Sequence, residues 1–163
     1  MEIIEVRPKD RDWIRALLRK AWGGETVVIR GHVFRPCQLP GFIAVREGRP
    51  AGLVTYRVEG DDAEVVTLNS LRTGMGIGTA LLGKVEETAR EASCRRLRVV
   101  TTNDNRTALR FYRNRGYRKV AVRRGAVTEA RKQKPEIPLR NPDGIPIEDE
   151  IELAKDLGET RCD

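Results

Sequence analysis

Apolar positions change period several times along this chain of 163 residues, and each change marks an element. Residues 2–7 alternate and are β-branched, which predicts a short strand. Asp10 can cap a helix whose apolar stripe runs through Trp13, Ile14, Leu17, Leu18 and Ala21 and stops at Gly23 and Gly24. Trp22 is expected to pack that helix. Residues 26–35 combine Val27, Val28 and Ile29 with a turn signal at Gly31, and read as an irregular, strand-rich segment. Three strands follow at 42–46, 51–59 and 63–68, separated by the clusters Glu47-Gly48-Arg49-Pro50 and Glu59-Gly60-Asp61-Asp62. Turns that short cannot join parallel strands, so the three predict an antiparallel meander.

The period then becomes helical. Gly74, Gly76 and Gly78 lead into a stripe of Ile77, Leu81, Val85, Ala89 and Ala92. A short strand at 97–101, a helix at 103–115 stopped by Gly116, and a strand at 117–122 follow. The tail predicts a short helix at 126–132, a proline-rich loop at 135–146 and a last strand at 149–157. One mixed α/β (α+β) domain over 1–163 accounts for this order, with 125–148 as a loop-rich insertion before the last strand. A loop of that length in a small domain points to a function such as covering an acceptor site.

Composition narrows the class. Hydrophobic residues make up 39% and charged residues 34%, interleaved with the periodic segments, so the chain can bury a core. No run of about 18 apolar residues predicts a membrane span, and the first residues lack the pattern of a signal peptide, so a cytoplasmic location is expected. Three distant cysteines (Cys37, Cys94, Cys162) and the single His32 make neither a zinc set nor a disulfide framework, and no metal site is expected. Cys94 follows an apolar helix face and reads as a small buried residue, and His32 as packing or surface. The net charge of +7 favours phosphate-bearing partners. Arg118, Lys119, Arg123, Arg124, Arg131, Lys132 and Lys134 hold part of the excess, but no aromatics are interleaved as a base-stacking platform, which argues against nucleic acid.

The stretch Leu68-Asn69-Ser70-Leu71-Arg72-Thr73-Gly74-Met75-Gly76-Ile77-Gly78-Thr79 runs from strand through glycine turn to helix. Unpaired N–H groups at a helix start attract anions, and glycines let a phosphate approach the backbone. The spacing is neither that of a dinucleotide fold nor that of a Walker turn. Downstream, Asn105, Ala108, Phe111, Tyr112, Gly116 and Tyr117 form a second pattern. Together the two motifs resemble the GNAT superfamily of N-acetyltransferases: Gly76 and Gly78 fit its cofactor motif, while Thr73 stands where that motif has Gln or Arg. The resemblance covers about residues 42–122.

That resemblance implies a splayed, mostly antiparallel central sheet flanked by helices. It implies acetyl-coenzyme A as donor and a primary amine, on a small molecule or a peptide, as acceptor. Homodimers are common where it holds. Backbone at Leu68, Asn69 and Ser70 would line the pantetheine arm. The turn and first helical residues Thr73, Gly74, Met75, Gly76, Ile77, Gly78 and Thr79 would hold the pyrophosphate. Asn105 would touch the arm or the thioester region. Acyl transfer needs a neutral amine and a protonated leaving thiolate. Tyr112 is the expected general acid, since tyrosine at this place in the family lies near the sulfur, and Phe111 is expected in the core. Glu64, on the strand leading into the glycine turn, is the expected general base, with Glu129, Glu150 and Glu152 as rivals from the tail. Two other readings stay open: a non-catalytic coenzyme A sensor on the same fold, and a basic nucleic-acid-binding protein.

Overall fold

The computed structural model describes residues 1–158. Strand β1 (Glu2–Glu5) and a 3-10 turn lead into helix α1 (Arg11–Trp22), which Gly23 ends in a left-handed conformation at φ 76°. The segment expected to be irregular is a hairpin of β2 (Val27–Ile29) and β3 (His32–Phe34). Ile29 opposes His32 across a two-residue turn in which Arg30 and Gly31 both have positive φ (51° and 78°). A two-residue hairpin of this hand demands that conformation, which asparagine or glycine usually supplies; an arginine there hides the signal.

The meander forms as expected from β4 (Gly41–Arg46), β5 (Arg49–Glu59) and β6 (Asp62–Ser70), all antiparallel. Helix α2 (Ile77–Glu91), β7 (Arg96–Thr102), α3 (Arg106–Arg113), β8 (Arg118–Arg123), the short α4 (Ala126–Ala130) and β9 (Glu150–Asp156) complete the chain. The main sheet has the order β1-β4-β5-β6-β7-β9-β8, with β6 and β7 its one parallel pair among the described residues. The last strand thus enters between β7 and β8, although β8 precedes it in sequence.

Side chains alternate along β4 and β5, so the sheet has two packed faces. Ile43 and Leu53 join Ile14, Leu18 and Cys37 beneath α1. On the other face Phe42, Ala44 and Val54 meet Ile77, Leu81 and Val85 of α2, and Tyr112 and Tyr117 extend this larger core. Contact between α2 and the sheet is close: a Cβ on Gly52 would lie 2.6 Å from Ile77 Cγ2. Cys94 is buried as expected, and Cys162 lies outside the described residues.

Candidate active site

Strands β6 and β7 pair only from Asp62 to Val65 and from Arg96 to Val99. Both continue, to Ser70 and Thr102, without pairing to each other. A bulge helps them part: Thr55 opposes Thr67 while Tyr56 opposes Val65, so Val66 is the extra residue. Val66 and Val100, the first residues past the last pair, line a cavity of about 370 Å³.

Three further parts of the chain add to its walls. Trp22 closes α1 against the cavity, β2 gives Val28, and the tail loop gives Ile137, Pro138 and Ile147. Trp22 is therefore not packing for its helix as expected; it is 43% exposed and belongs to the cavity wall. Two side chains hold the tail loop in place. Arg131 donates to the carbonyls of Ile137, Pro138 and Ile147, and Asn103 Oδ1 accepts from the N–H groups of Glu148 and Asp149.

Glu150 is the buried carboxylate of this cavity, 5% exposed. It faces Thr102 across the β7–β9 ladder, at the open end of the split. Its two oxygens accept from the Arg30 N–H at 3.1 and 3.3 Å. Burial pushes its carboxyl above the ordinary range; the Arg30 N–H and the charges of Arg123 and Arg30 oppose this, while Glu64 adds to it.

Glu64 is placed differently. It is 1% exposed and does not line the cavity. Arg30 Nη2 donates to both of its oxygens at 2.9 Å, and Arg57 Nε donates to Oε1 at 3.1 Å. Arg30 thus ties two carboxylates together, Glu64 through its guanidinium and Glu150 through its backbone. Glu152 is held by Arg123 at 2.6 Å, and Glu129 pairs with Lys132 at the surface. His32 is exposed on β3, away from the cavity.

Around the glycine turn, Gly74 and Gly76 take left-handed φ values of 76° and 69°, and a Cβ on either would meet open space. Gly76 caps α2, leaving the N–H groups of Ile77, Gly78 and Thr79 without helical acceptors. Gly78 has another reason to lack a side chain: its Cβ would sit 3.3 Å from the Phe111 ring. Arg115 is a site feature that no motif flagged. Its guanidinium stacks 3.7 Å from the Phe111 centroid and donates to Thr79 Oγ1 on the first turn of α2. Between turn and cavity, Asn69 Oδ1 is buried and has no hydrogen-bond partner among the described residues.

Asn105 lines the cavity, and its side chain caps α3 by accepting from the Ala108 N–H at 3.1 Å. Tyr112, two turns further along α3, is 6% exposed and packs edge-on to Phe111 and Tyr117. Burial pushes its phenol far above the usual tyrosine value. Much of the basic cluster at 118–134 has internal work: Arg123 pairs with Glu152, Arg118 with Asp156, Lys132 with Glu129, and Arg131 holds the loop.

The parted parallel pair beside a glycine-capped helix is the splayed central sheet that the resemblance implies. The chain belongs to the acetyltransferase (GNAT) family, whose pattern matches residues 10–117. The uncharacterized protein YdhI of Bacillus subtilis (strain 168) is 47% identical over 137 residues, covering 83% of this chain and 86% of that protein. The IAA acetyltransferase from Bacillus cereus ATCC 14579 shares the fold at a TM-score of 0.76, with 21% identity over 95% of this chain and 98% of that one. A GNAT family acetyltransferase from Elizabethkingia anophelis, solved with acetyl-CoA bound, has a TM-score of 0.64 and 21% identity, covering 72% of this chain and 76% of that one.

Proposed function

We propose that the chain transfers an acetyl group from acetyl-coenzyme A to a primary amine held in the cavity, by direct attack in a ternary complex. The observation that carries this reading is the buried carboxylate of Glu150 at the open end of the β6–β7 split.

The residues present fit the donor. Along Leu68, Asn69 and Ser70 the edge of β6 away from β5 pairs with no strand among the described residues, and with Asn69 Oδ1, which has no hydrogen-bond partner among them, it suits the amide-bearing pantetheine arm. The free N–H groups at the start of α2, with Thr73 to Gly76 before them, suit the pyrophosphate, and Arg115 adds a cation beside them. These backbone donors make up for the missing Gln or Arg at Thr73. When bound, acetyl-coenzyme A supplies an acetyl group activated as a thioester.

The chain's own groups manage protons. An alkylammonium has a reference pKa near ~10.4, so the acceptor must lose a proton before it can attack. Glu150 takes that proton; burial raises its basicity, and the Arg30 N–H fixes its orientation. Glu64 serves this arrangement by holding Arg30. Tyr112 keeps its phenolic proton at every working pH and is the donor on α3 for the leaving group.

Thermal unfolding with acetyl-coenzyme A, with ATP as control, tests the donor. At one hundred times the dissociation constant the gain is about 2.7 kcal/mol, a Tm rise of roughly 5–10 °C. No rise at saturation, or an equal rise with ATP, removes the donor. Tyr112→Phe is expected to lower kcat by about 10²-fold with little change in donor affinity. Unchanged turnover takes Tyr112 out of the mechanism.

A further inference from the structure

The cavity holds a second ionisable group that proton transfer does not use. Lys134 follows α4 and lines the cavity, yet it is only 4% exposed. Its ammonium donates to the Thr26 carbonyl at 2.5 Å and pairs with no carboxylate among the described residues. Glu136, also on the cavity wall, is solvent-exposed and raises the Lys134 pKa, but burial outweighs it and the net direction is down. An ammonium has three donors, so two are left for a ligand. A buried cation in an apolar cavity is costly to maintain unless an anion joins it.

The position of Lys134 relative to Glu150 fixes the shape of that ligand. Ile29 and His32 close the two-residue hairpin, so the backbone groups of Val27 and Ile29 face β3. Those of Thr26, Val28 and Arg30 therefore face the opposite edge of β2. Lys134 sits on the Thr26 carbonyl and Glu150 on the Arg30 N–H, so both groups lie along that edge. At a rise of about 3.3 Å per residue the two anchor points are on the order of 10 Å apart. Val28, Ile137 and Ile147 lie on the apolar wall of the same cavity.

We propose that the acceptor is a primary amine joined through an apolar spacer to a carboxylate, with its amine at Glu150 and its carboxylate at Lys134. This rests on the acetyltransferase reading and narrows its substrate class. A polyamine or an aminoglycoside would bring a second cation to Lys134, which disfavours it.

Matched pairs of acceptors test the inference: aminocaproate against hexylamine, and para-aminomethylbenzoate against benzylamine. Each is assayed for acetyl-coenzyme A-dependent thiol release with the native protein and with Lys134→Met. In the native protein the carboxylate-bearing member is expected to have a kcat/KM about 10-fold or more above its partner, carried mainly by KM. In Lys134→Met that ratio should collapse towards one. The ratio is internal to each protein, so partial loss of folding moves both members together and leaves it intact.

A native ratio at or below one, with the plain amines turned over, overturns the inference and leaves the acetyltransferase reading standing. A ratio that survives Lys134→Met also overturns it. Binding is read separately by the fluorescence of Trp22 in the cavity wall, with Trp22→Phe as control. Carboxylate-selective binding without acetylation would support the ligand class while removing the catalytic reading. Absence of both binding and turnover for all four compounds overturns the inference, while the stability shift with acetyl-coenzyme A decides the acetyltransferase reading by itself.

Discussion

Glu150→Gln is expected to lower turnover of an amine acceptor by about 10²–10⁴-fold while the protein stays folded and still binds acetyl-coenzyme A. Glutamine keeps the volume and can still accept from the Arg30 N–H, so the loss isolates the proton-accepting role. The pH profile of kcat/KM checks it. Burial, the largest influence on Glu150, raises its pKa, and a base is inactive when protonated. Activity should therefore fall as pH drops through a midpoint above the ordinary carboxylate range, and this limb should vanish in the variant. Stability moves the other way. A raised folded pKa gives a contribution that is full below the unfolded pKa and lost as pH rises through the folded one. Glu150→Gln stays neutral throughout, so its Tm at pH 7 should equal or exceed that of the native protein. A native-like rate in the variant would remove Glu150 from proton transfer.

Glu64→Gln should show the opposite pattern, a large loss of stability with a smaller loss of chemistry. The substitution leaves the Arg30 guanidinium without its ion pair in a place where its side chain is only 18% exposed. Breaking a buried pair costs about 3–5 kcal/mol, and the partial exposure of Arg30 and Arg57 points to the lower end. For a chain of this size about 3 kcal/mol is a Tm drop of roughly 6–12 °C. Thermal unfolding beside kcat, both measured well below the new Tm, separates the roles. An unchanged Tm with turnover down by 10²-fold would return Glu64 to the position of general base.

The contrast between these glutamates shows where reading the sequence stops. Both stand in strand-forming stretches, and neither has a neighbour in sequence that reveals its partner. Glu64 is marked in the sequence by its strand, which leads into the glycine turn. Its environment depends on Arg30, which lies 34 positions away in a hairpin whose turn carries an arginine instead of a standard turn residue. Glu150 reaches the split because β9 enters between β7 and β8, a strand order that local pattern does not encode. Arg115 and Lys134 were likewise ordinary basic residues until packing placed one on Phe111 and the other in a cavity.

What the sequence determined by itself was local and periodic. Alternation set the strands of the meander, tight turns set their antiparallel pairing, and a 3.6-residue stripe set α1 and α2. The glycine turn and the pattern from Asn105 to Tyr117 were legible because each is a contiguous run whose spacing is fixed by one turn or one helix. Element ends were less so: α3 spans Arg106–Arg113, inside the expected 103–115, because the Asn105 side chain caps it. Tertiary structure alone decided which carboxylate faces the cavity, which is closed by arginines, and which lysine is buried. Those outcomes depend on desolvation and on charges brought together from distant positions, and both quantities exist only once the chain has folded.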